Sequence, residues 1–325
     1  MSERWRKVIR RLLMVSADLA EPLWGTAFWL AGLVGRKPIP ILEPDGGRLV
    51  LILAPHPDDE VAGCAGTIRL HEKAGDTIWV YMVTDGRRAA SPLTPDELAE
   101  QRRQEAGCVM AALQVDALEW AGYEEGSEWV SPLVEKLTAA VEALRPDIIY
   151  SPSRLDFHPD HHRTAFGLAQ ALKGSELAPA VRVYQVHVPL TAVLTNLIAD
   201  VSGEEGAIRA AVACYASQWW HLGRTLRMRR YTARYFGSGR SCEPFWQMTA
   251  EAFCELHEET ADFDRDGRHW SLTDYTGTRF FSWRDPLAYL KGRSHRRELL
   301  EQAATYTGKF LPKPGKSLGE NREVG

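Results

Sequence analysis

The sequence contains no C-x-x-C pair, and its five cysteines stand singly along the chain. Without such pairs there is no sign of a zinc ribbon or of the disulfide framework of a small secreted domain. We therefore predict buried, reduced thiols, which are typical of a reducing compartment. The cysteines are Cys64, Cys108, Cys214, Cys242 and Cys254.

An excess of one charge is absent as well. The 325 residues carry a formal net charge of −4, so nothing in the overall charge favours nucleic acid as a partner. A chain of this length can bury a large core, and 45% of its residues are hydrophobic. These values are ordinary for a globular protein.

No apolar run near the N-terminus is long enough to span a membrane. Asp18 and Glu21 interrupt the apolar stretch, so only the 14 residues Pro22 to Gly35 are uncharged, whereas a span needs about 20. The following Arg36-Lys37-Pro38 is a poor cleavage site for a signal peptidase. We predict that residues 1–45 form an amphipathic helical segment that packs on the protein's own surface or lies on the cytoplasmic face of a membrane. Five basic residues precede the apolar stretch within this segment: Arg4, Arg6, Lys7, Arg10 and Arg11.

From Arg48 onward, candidate strands alternate with candidate helices. This order predicts an α/β fold with a mostly parallel sheet that helices cover on both faces. Apolar runs predict strands at 48–54, 77–84, 117–120, 147–151 and 181–188. Helical patterns lie near 61–73, 95–113, 131–144, 161–172 and, as one or two helices, 207–235. We assign 46–255 to one domain, 256–307 to an elaboration packed on it, and 308–325 to a disordered tail.

Two clusters of histidine and aspartate follow predicted strands. The first is Ala54–Glu60 (A-P-H-P-D-D-E), and the second is His158–His162 (H-P-D-H-H). Either cluster alone is compatible with a capped turn or an exposed polar loop. Open α/β sheets bind ligands beyond the carboxyl ends of their strands, so the two together predict the halves of one metal site.

A catalytic zinc has three protein ligands and one open position. His56 and Asp59, three residues apart on a strand-to-helix turn, can converge on one ion, and His161 supplies a third ligand. His162 competes with His161 for that role, but the i, i+3 spacing from His158 favours His161. Such a metal lowers the pKa of a bound water to about 7 and polarises a carbonyl group. Asp58, beside the metal, is the predicted general base and later the proton donor to the leaving amine.

Three more residues of the second cluster are candidates. His158 would stabilise a tetrahedral oxyanion or shuttle a proton. Asp156 and Asp160 are candidates to accept hydrogen bonds from the histidine rings, because metal-binding imidazoles usually donate their second N–H to a carboxylate.

These residues resemble the LmbE/PIG-L family of metal-dependent deacetylases, which act on N-acetylglucosamine-type amino sugars. The resemblance spans roughly residues 48 to 250. The motifs, in family order, are Pro55–Glu60, Thr84-Asp85-Gly86, Arg102 with Glu105, His158–His161, Tyr215–Gln218 and Glu243-Pro244-Phe245.

The resemblance implies a Rossmann-like fold with zinc, or ferrous iron, held by His56, Asp59 and His161. It also implies Asp58 as acid and base, His158 as the stabiliser of the transition state, and Arg102 as a substrate-binding residue. The alternative for Arg102 is a surface arginine paired to Glu105 or Glu97. Asp156 stands where some members carry a tyrosine, so a tyrosine-assisted mechanism is not expected.

The predicted function is removal of an N-acetyl group from an amino-sugar conjugate by a metal-bound water that Asp58 activates. One alternative is an amidase of the same mechanism that cleaves a larger acyl or thiol-conjugate amide. Another is an inactive protein that binds sugar or lipid. Six arginines between Arg224 and Arg240 are compatible with an anionic or lipid-linked substrate, although a solvated helix face paired with acidic residues is the favoured explanation. We expect a cytoplasmic location, with or without membrane association.

Overall fold

The computed structural model describes residues 3–259, except 128–129, 155, 157, 188–189, 191 and 193. The helices are α1 (Glu3–Gly35), α2 (Asp59–Ala74), α3 (Pro95–Leu113), α4 (Val130–Leu144), α5 (Pro159–Lys173), α6 (Glu205–Cys214), α7 (Trp219–Phe236) and α8 (Ala250–Glu259). The strands are β1 (Leu49–Ala54), β2 (Thr77–Thr84), β3 (Ala117–Tyr123), β4 (Ile148–Pro152), β5 (Ala180–Tyr184), β6 (Leu197–Asp200) and β7 (Cys242–Thr249).

The seven strands form one sheet in the order β3-β2-β1-β4-β5-β7-β6. Strands β1 to β5 are mutually parallel, and β7 runs antiparallel to both β5 and β6. The predicted α/β class and mostly parallel sheet are therefore confirmed. Strands β6 and β7 and helix α8 were not predicted. The predicted strand at 181–188 ends at Tyr184, since the chain turns there and the His187 N–H bonds to Asp156.

Both faces of the sheet are buried, which explains why β1 is apolar at every position. Its residues alternate between two cores: Val50 and Ile52 face one, and Leu51 and Leu53 face the other. Side chains of α2, α3 and α6 complete the first core, and those of α4, α5 and α8 complete the second. Parallel strands with helices on both sides produce such continuous hydrophobic runs.

The strand order reverses at β1. The chain proceeds from β1 to β2 and β3 on one side, then returns to β4 and β5 on the other. Such a reversal leaves a crevice at the carboxyl ends of the two central strands. The two clusters of histidine and aspartate follow β1 and β4 directly, so the topology brings them to the two sides of that crevice.

The predicted N-terminal helical segment is present as α1, which packs on α7. Phe28 stacks on Tyr231 with ring centroids 5.1 Å apart, and Glu21 forms a bidentate ion pair with Arg230 at 2.6 Å. Among the described helices, none is both long and apolar enough to cross a membrane. The domain boundaries stay a prediction. The tail at 308–325 and all but the first residues of the elaboration at 256–307 lie outside the described residues.

The expectation that the cysteines are reduced is wrong for two of them. Cys108 in α3 and Cys214 at the end of α6 form a disulfide across 106 residues of sequence, with Cα atoms 5.7 Å apart. The pairing depends on the packing of α3 against α6, so no local spacing reveals it. The other three cysteines are free, and Cys64 and Cys242 are buried.

Candidate metal and catalytic centre

The loop after β1 is fixed by the end of β2. Thr84 donates from both its backbone N–H and its hydroxyl to the carbonyl of Pro55, at 2.9 and 2.8 Å. Asp58 then has a φ of +132°, a region that favours glycine. Such a backbone is costly for a residue with a side chain, and it is retained where neighbouring contacts enforce it. Here Asp58 contacts Arg102, whereas Asp59 contacts His56 and His161.

The loop after β4 is fixed by the start of α5. His158 is the N-cap, and its Nδ1 accepts a hydrogen bond from the backbone N–H of Asp160 at 3.2 Å. Pro159 occupies the first helical position, where a missing N–H costs nothing. The helix therefore starts within the motif, and His161 falls on its inner face while His162 contacts the carbonyl of Asp156 instead.

Asp59 lies between two histidines. Its Oδ2 is 3.1 Å from His56 Nδ1 and 3.2 Å from His161 Nε2, and all three side chains are buried. The second nitrogen of each ring faces another carboxylate: His56 Nε2 lies 3.3 Å from Asp160, and His161 Nδ1 lies 3.3 Å from Asp156. Each imidazole thus has one nitrogen directed at Asp59 and the other at a second carboxylate, and metal-binding histidines commonly have such a carboxylate behind the ring.

The residues present fit a divalent cation. Both ring nitrogens of His161 are buried without a well-formed hydrogen bond, although Asp59 and Asp156 lie 3.2 and 3.3 Å from them. Buried polar atoms rarely remain unsatisfied. Imidazole nitrogen and carboxylate oxygen are the donors that zinc takes in catalytic sites.

The centre has a surplus of negative charge. Burial alone would lower the pKa of His56, but its contacts with Asp160 and Asp59 raise that pKa to about 9. Burial likewise opposes the charged form of His161, yet Asp59 and Asp156 hold its pKa well above the usual value. The surrounding carboxylates therefore stabilise positive charge at the point where these rings meet.

Asp58 is held by Arg102. The guanidinium lies 2.9 Å from Asp58 Oδ1 and also donates to the carbonyls of Gly86, at 2.9 Å, and Pro57. Burial raises the pKa of Asp58 to about 6, with Arg102 acting in the opposite direction. Arg102 lines the cavity but is only 3% exposed. It pairs with neither Glu105 nor Glu97, the partners considered from the sequence, and its substrate-binding role stays a prediction.

The other motif residues support the two loops from behind. The Tyr215 hydroxyl donates to Glu60 at 2.7 Å, and Glu60 accepts from the backbone N–H of Asp58 at 3.1 Å. Glu105 accepts from both the N–H and the hydroxyl of Ser217, at 3.0 and 2.6 Å. Glu60 thus fixes the backbone of the predicted base, and Glu105 joins α3 to the turn before α7.

Glu243, from the late motif, secures α2. Its carboxylate accepts the backbone N–H groups of Gly66 and Thr67 at 3.0 and 2.8 Å. It also forms a buried ion pair with Arg229 at 2.7 Å. Arg229 in turn donates to the carbonyls of Val61 and Ala62. The late motif and one arginine of α7 therefore position the helix that begins at Asp59.

Two residues that the sequence analysis missed face the same cavity, which has a volume of about 230 Å³. Glu125, after β3, places Oε1 3.9 Å from His56 Nε2 and 3.8 Å from His158 Nε2. His187, after β5, lies 3.1 Å from Asp156. Both follow parallel strands at their carboxyl ends, so the rule that located the two clusters could have found Glu125, whereas His187 lay inside the strand predicted at 181–188. Among the described residues, three groups of potential ligands lie within 4.8 Å: His56–His158–His161, Asp156–His161–His187 and His56–Glu125–Asp160.

Comparisons with known proteins agree with this geometry. Residues 51–172 match the family model described as PIG-L, GlcNAc-PI de-N-acetylase. The diacetylchitobiose deacetylase of Thermococcus kodakarensis is 25% identical over 221 residues, which cover 59% of this chain and 80% of that protein.

Two solved structures share the fold. The N,N'-diacetylchitobiose deacetylase of Pyrococcus horikoshii, complexed with an inhibitor, matches with a TM-score of 0.54 at 24% identity, over 63% of this chain and 85% of its own. GalB, the 4-carboxy-2-hydroxymuconate hydratase of Pseudomonas putida KT2440, matches with a TM-score of 0.53 at 20% identity. The match covers 62% of this chain and 95% of GalB. At these identities the likenesses concern the fold alone. The family match over residues 51–172, with the curated relative beside it, identifies a PIG-L (LmbE-like) deacetylase-family domain in that part of the chain.

Proposed function

We propose that the protein is a metal-dependent N-deacetylase of an N-acetylglucosamine-type conjugate. The observation that carries the proposal is the shared position of Asp59 between His56 Nδ1 and His161 Nε2, with Asp58 beside them in the cavity wall. The family match and the curated deacetylase support this reaction class. The hydratase neighbour is a reminder that this fold alone does not fix the chemistry.

We propose His56, Asp59 and His161 as the ligands, and zinc, with ferrous iron as the alternative, as the cation. Such a cation supplies Lewis-acid chemistry when bound, polarising a carbonyl and acidifying water. Asp156 and Asp160 orient the two imidazoles through their second nitrogens. This arrangement fixes which nitrogen of each ring is directed at Asp59.

Asp58 is the proposed general base. With a pKa of about 6, it is largely ionised at neutral pH yet basic enough to take a proton from water, as an efficient proton-transfer group requires. The same proton then passes to the nitrogen of the leaving amine. Arg102 holds the Asp58 carboxylate, and Glu60 accepts a hydrogen bond from the Asp58 backbone N–H, so Asp58 keeps one position with and without its proton.

His158 is proposed to stabilise the oxyanion rather than to shuttle a proton. Burial and the neighbouring His56 lower the pKa of His158 to about 2, so the ring is neutral. Because Nδ1 accepts the N–H of Asp160, the ring proton resides on Nε2. A neutral imidazole with a fixed N–H is suited to donate a hydrogen bond to developing negative charge.

The substrate is proposed to be a small amino-sugar conjugate. The cavity combines polar groups suited to hydroxyls, among them Glu125 and Gln185, with apolar side chains of α7, Leu222 and Met228. The anionic-substrate interpretation of the arginine-rich segment is weakened, because Arg229 and Arg230 are committed to ion pairs with Glu243 and Glu21.

The test is acetate release from a panel of N-acetylglucosamine conjugates: the free sugar, glycosides, and nucleotide- and lipid-linked forms. Chelated protein is reloaded with zinc or ferrous iron, and metal content is measured separately. Asp58→Asn is expected to retain metal and to lose activity by about 10²–10⁴-fold, the contribution of a positioned acid–base group. Asp76→Asn, a matched change of a buried aspartate outside the cavity, is expected to remain active.

Metal-dependent acetate release that Asp58→Asn abolishes would establish the reaction. Bound metal with no acetate from any conjugate would overturn the proposal. Release of a larger acid from other amides, under the same conditions, would favour the larger-acyl amidase.

A further inference from the structure

Helix α1 presents an apolar face to solvent. Leu19 and Leu23 are 77% and 75% exposed, and Val34 is 93% exposed. At 100° per residue these positions share one side of the helix. The face consists of Val15, Leu19, Leu23, Trp29, Leu30, Leu33 and Val34. Exposed apolar residues scattered singly need no explanation, but a contiguous face of this kind marks an interaction surface.

The opposite side of α1 is already occupied by α7. Phe28 is fully buried there, and a Cβ placed on Gly32 would clash with the carbonyl oxygen of Tyr235. Glu21, an acid that would oppose contact with an anionic surface, is neutralised by Arg230 on this same side. The helix is thus fastened to the domain by one face, and among the described residues its other face is exposed.

Basic residues flank the apolar face at both ends. Arg36 and Lys37, directly after α1, are exposed. The first three turns hold five more: Arg4, Arg6, Lys7, Arg10 and Arg11. An apolar helix face between clusters of cations matches the interfacial region of a bilayer, where acyl chains lie beneath anionic head groups.

We propose that α1 docks the protein on the surface of an anionic lipid bilayer, with this apolar face in the interfacial region and the basic ends at the lipid phosphates. The proposal goes beyond the catalytic function and does not depend on it. The face spans about 140° of the helix circumference, judged from 100° per residue. That is wider than the two-position seam of a coiled coil, so a flat lipid surface suits it better than a second copy of α1.

Docking in this way places the cavity close to the lipid surface. Helix α7 carries Leu222 and Thr225 into the cavity wall and packs Tyr231 and Tyr235 in the cluster that includes Phe28. Met228 lines the cavity and also belongs to the cluster that includes Phe28. A single helix therefore separates the proposed lipid contact from the catalytic centre.

The test is co-sedimentation of the full chain with vesicles of phosphatidylcholine, with or without one-third phosphatidylserine. Binding is expected only to the phosphatidylserine vesicles and should weaken as salt is raised, because exposed charges are screened. The double variant Leu19→Glu/Leu23→Glu is expected to reduce binding at least tenfold. Leu93→Glu, which adds a charge at an exposed leucine outside α1, is the matched control and should bind within twofold of the unaltered protein.

Three results would overturn the proposal. The first is no binding to either kind of vesicle. The second is a concentration-dependent dimer, measured by light scattering, that the double variant abolishes. The third is a lowered unfolding midpoint of the double variant without vesicles, which would mean that another part of the chain covers the face. Acetate release from a water-soluble substrate should be equal in all variants, so failure here is separable from failure of the catalytic proposal.

Discussion

Two buried clusters of histidine and carboxylate lie near opposite ends of the same sheet, and they differ in how well their polar atoms are satisfied. Near the amino ends of β1 and β2, His71 contacts Asp76 through Nδ1 at 2.6 Å and the Tyr150 hydroxyl through Nε2 at 2.8 Å. Arg182 donates a second hydrogen bond to that hydroxyl at 2.7 Å. At the carboxyl ends, both ring nitrogens of His161 lack a hydrogen-bond partner, and Asp58 has a strained backbone.

The difference distinguishes a structural polar network from a functional one. A fully paired buried network stabilises a unique packing, whereas an incompletely paired one costs free energy. Proteins tend to break such local rules at functional sites. The two clusters contain the same residue types, so residue identity alone would not separate them. The completeness of hydrogen bonding, the strained backbone at Asp58 and the adjoining cavity distinguish the two clusters.

The largest expected effect is a difference in metal-dependent stability. Zinc at 100 times its dissociation constant should raise the free energy of unfolding by about 2.7 kcal/mol. We expect His161→Ala to lose this increment and His71→Ala to keep it, despite a lower starting stability. Urea unfolding with and without zinc measures both. A full zinc increment in His161→Ala would show that this histidine is not a ligand.

The next effect concerns the carboxylates that face the histidines. Asp156→Asn should weaken zinc binding about 10–100-fold, because the carboxylate behind a metal-binding imidazole orients the ring and raises its basicity. Asp76→Asn, the equivalent change behind His71, should leave zinc affinity unchanged. Competition with a chromophoric chelator gives both affinities. Equal affinities in the two variants would remove Asp156 from the site.

The third effect is on stability alone. His71→Phe should lower the free energy of unfolding by roughly 1–3 kcal/mol, since Asp76 and Tyr150 each lose a buried hydrogen-bond partner. The specific activity of the folded variant should not change. Activity falling in parallel with zinc content would mean that the two clusters are not independent.

The smallest effect is a pH dependence. Burial lowers the pKa of His71 below 6.5, with Asp76 offsetting only part of the shift. The unfolded chain therefore binds more protons just below pH 6.5, and stability falls as the pH drops through that point, by at most about 1.4 kcal/mol per pH unit. His71→Phe should show a shallower decline between pH 7 and pH 5. Parallel curves for the two proteins would contradict a buried neutral His71.

The central fold and both loops could be predicted because their signals are local. Continuous apolar runs such as Leu49–Ala54 indicate strands buried on both faces, and Pro95 with Asp96 marks the start of α3. Position at strand ends was enough to bring His56 and His161 to one crevice. The motif at Glu243 was also visible, but its role in holding α2 required the packing of α7.

What could not be predicted depends on distant contacts. Strand β6 has only four residues, and β7 contains Pro244, which disfavours a strand in a sequence pattern. The disulfide requires α3 and α6 to be adjacent. Arg102 was expected at the substrate, yet its placement against Asp58 follows from the positions of Pro57 and Gly86. Spacing within one segment does not encode such distances.

The Cys108–Cys214 bond has a practical consequence for purification. It joins the helix that carries Arg102 to the turn that begins at Tyr215, so a reducing buffer severs a covalent link behind the cavity wall. Dithiol reductants also compete for zinc, because thiolates are zinc ligands. Activity lost in dithiothreitol would then have two sources. A phosphine reductant with added zinc separates the two causes, because it reduces the disulfide without binding zinc as a dithiol does. Activity that is present under these conditions but absent in dithiothreitol depends on the metal. Activity that is absent under both conditions depends on the disulfide.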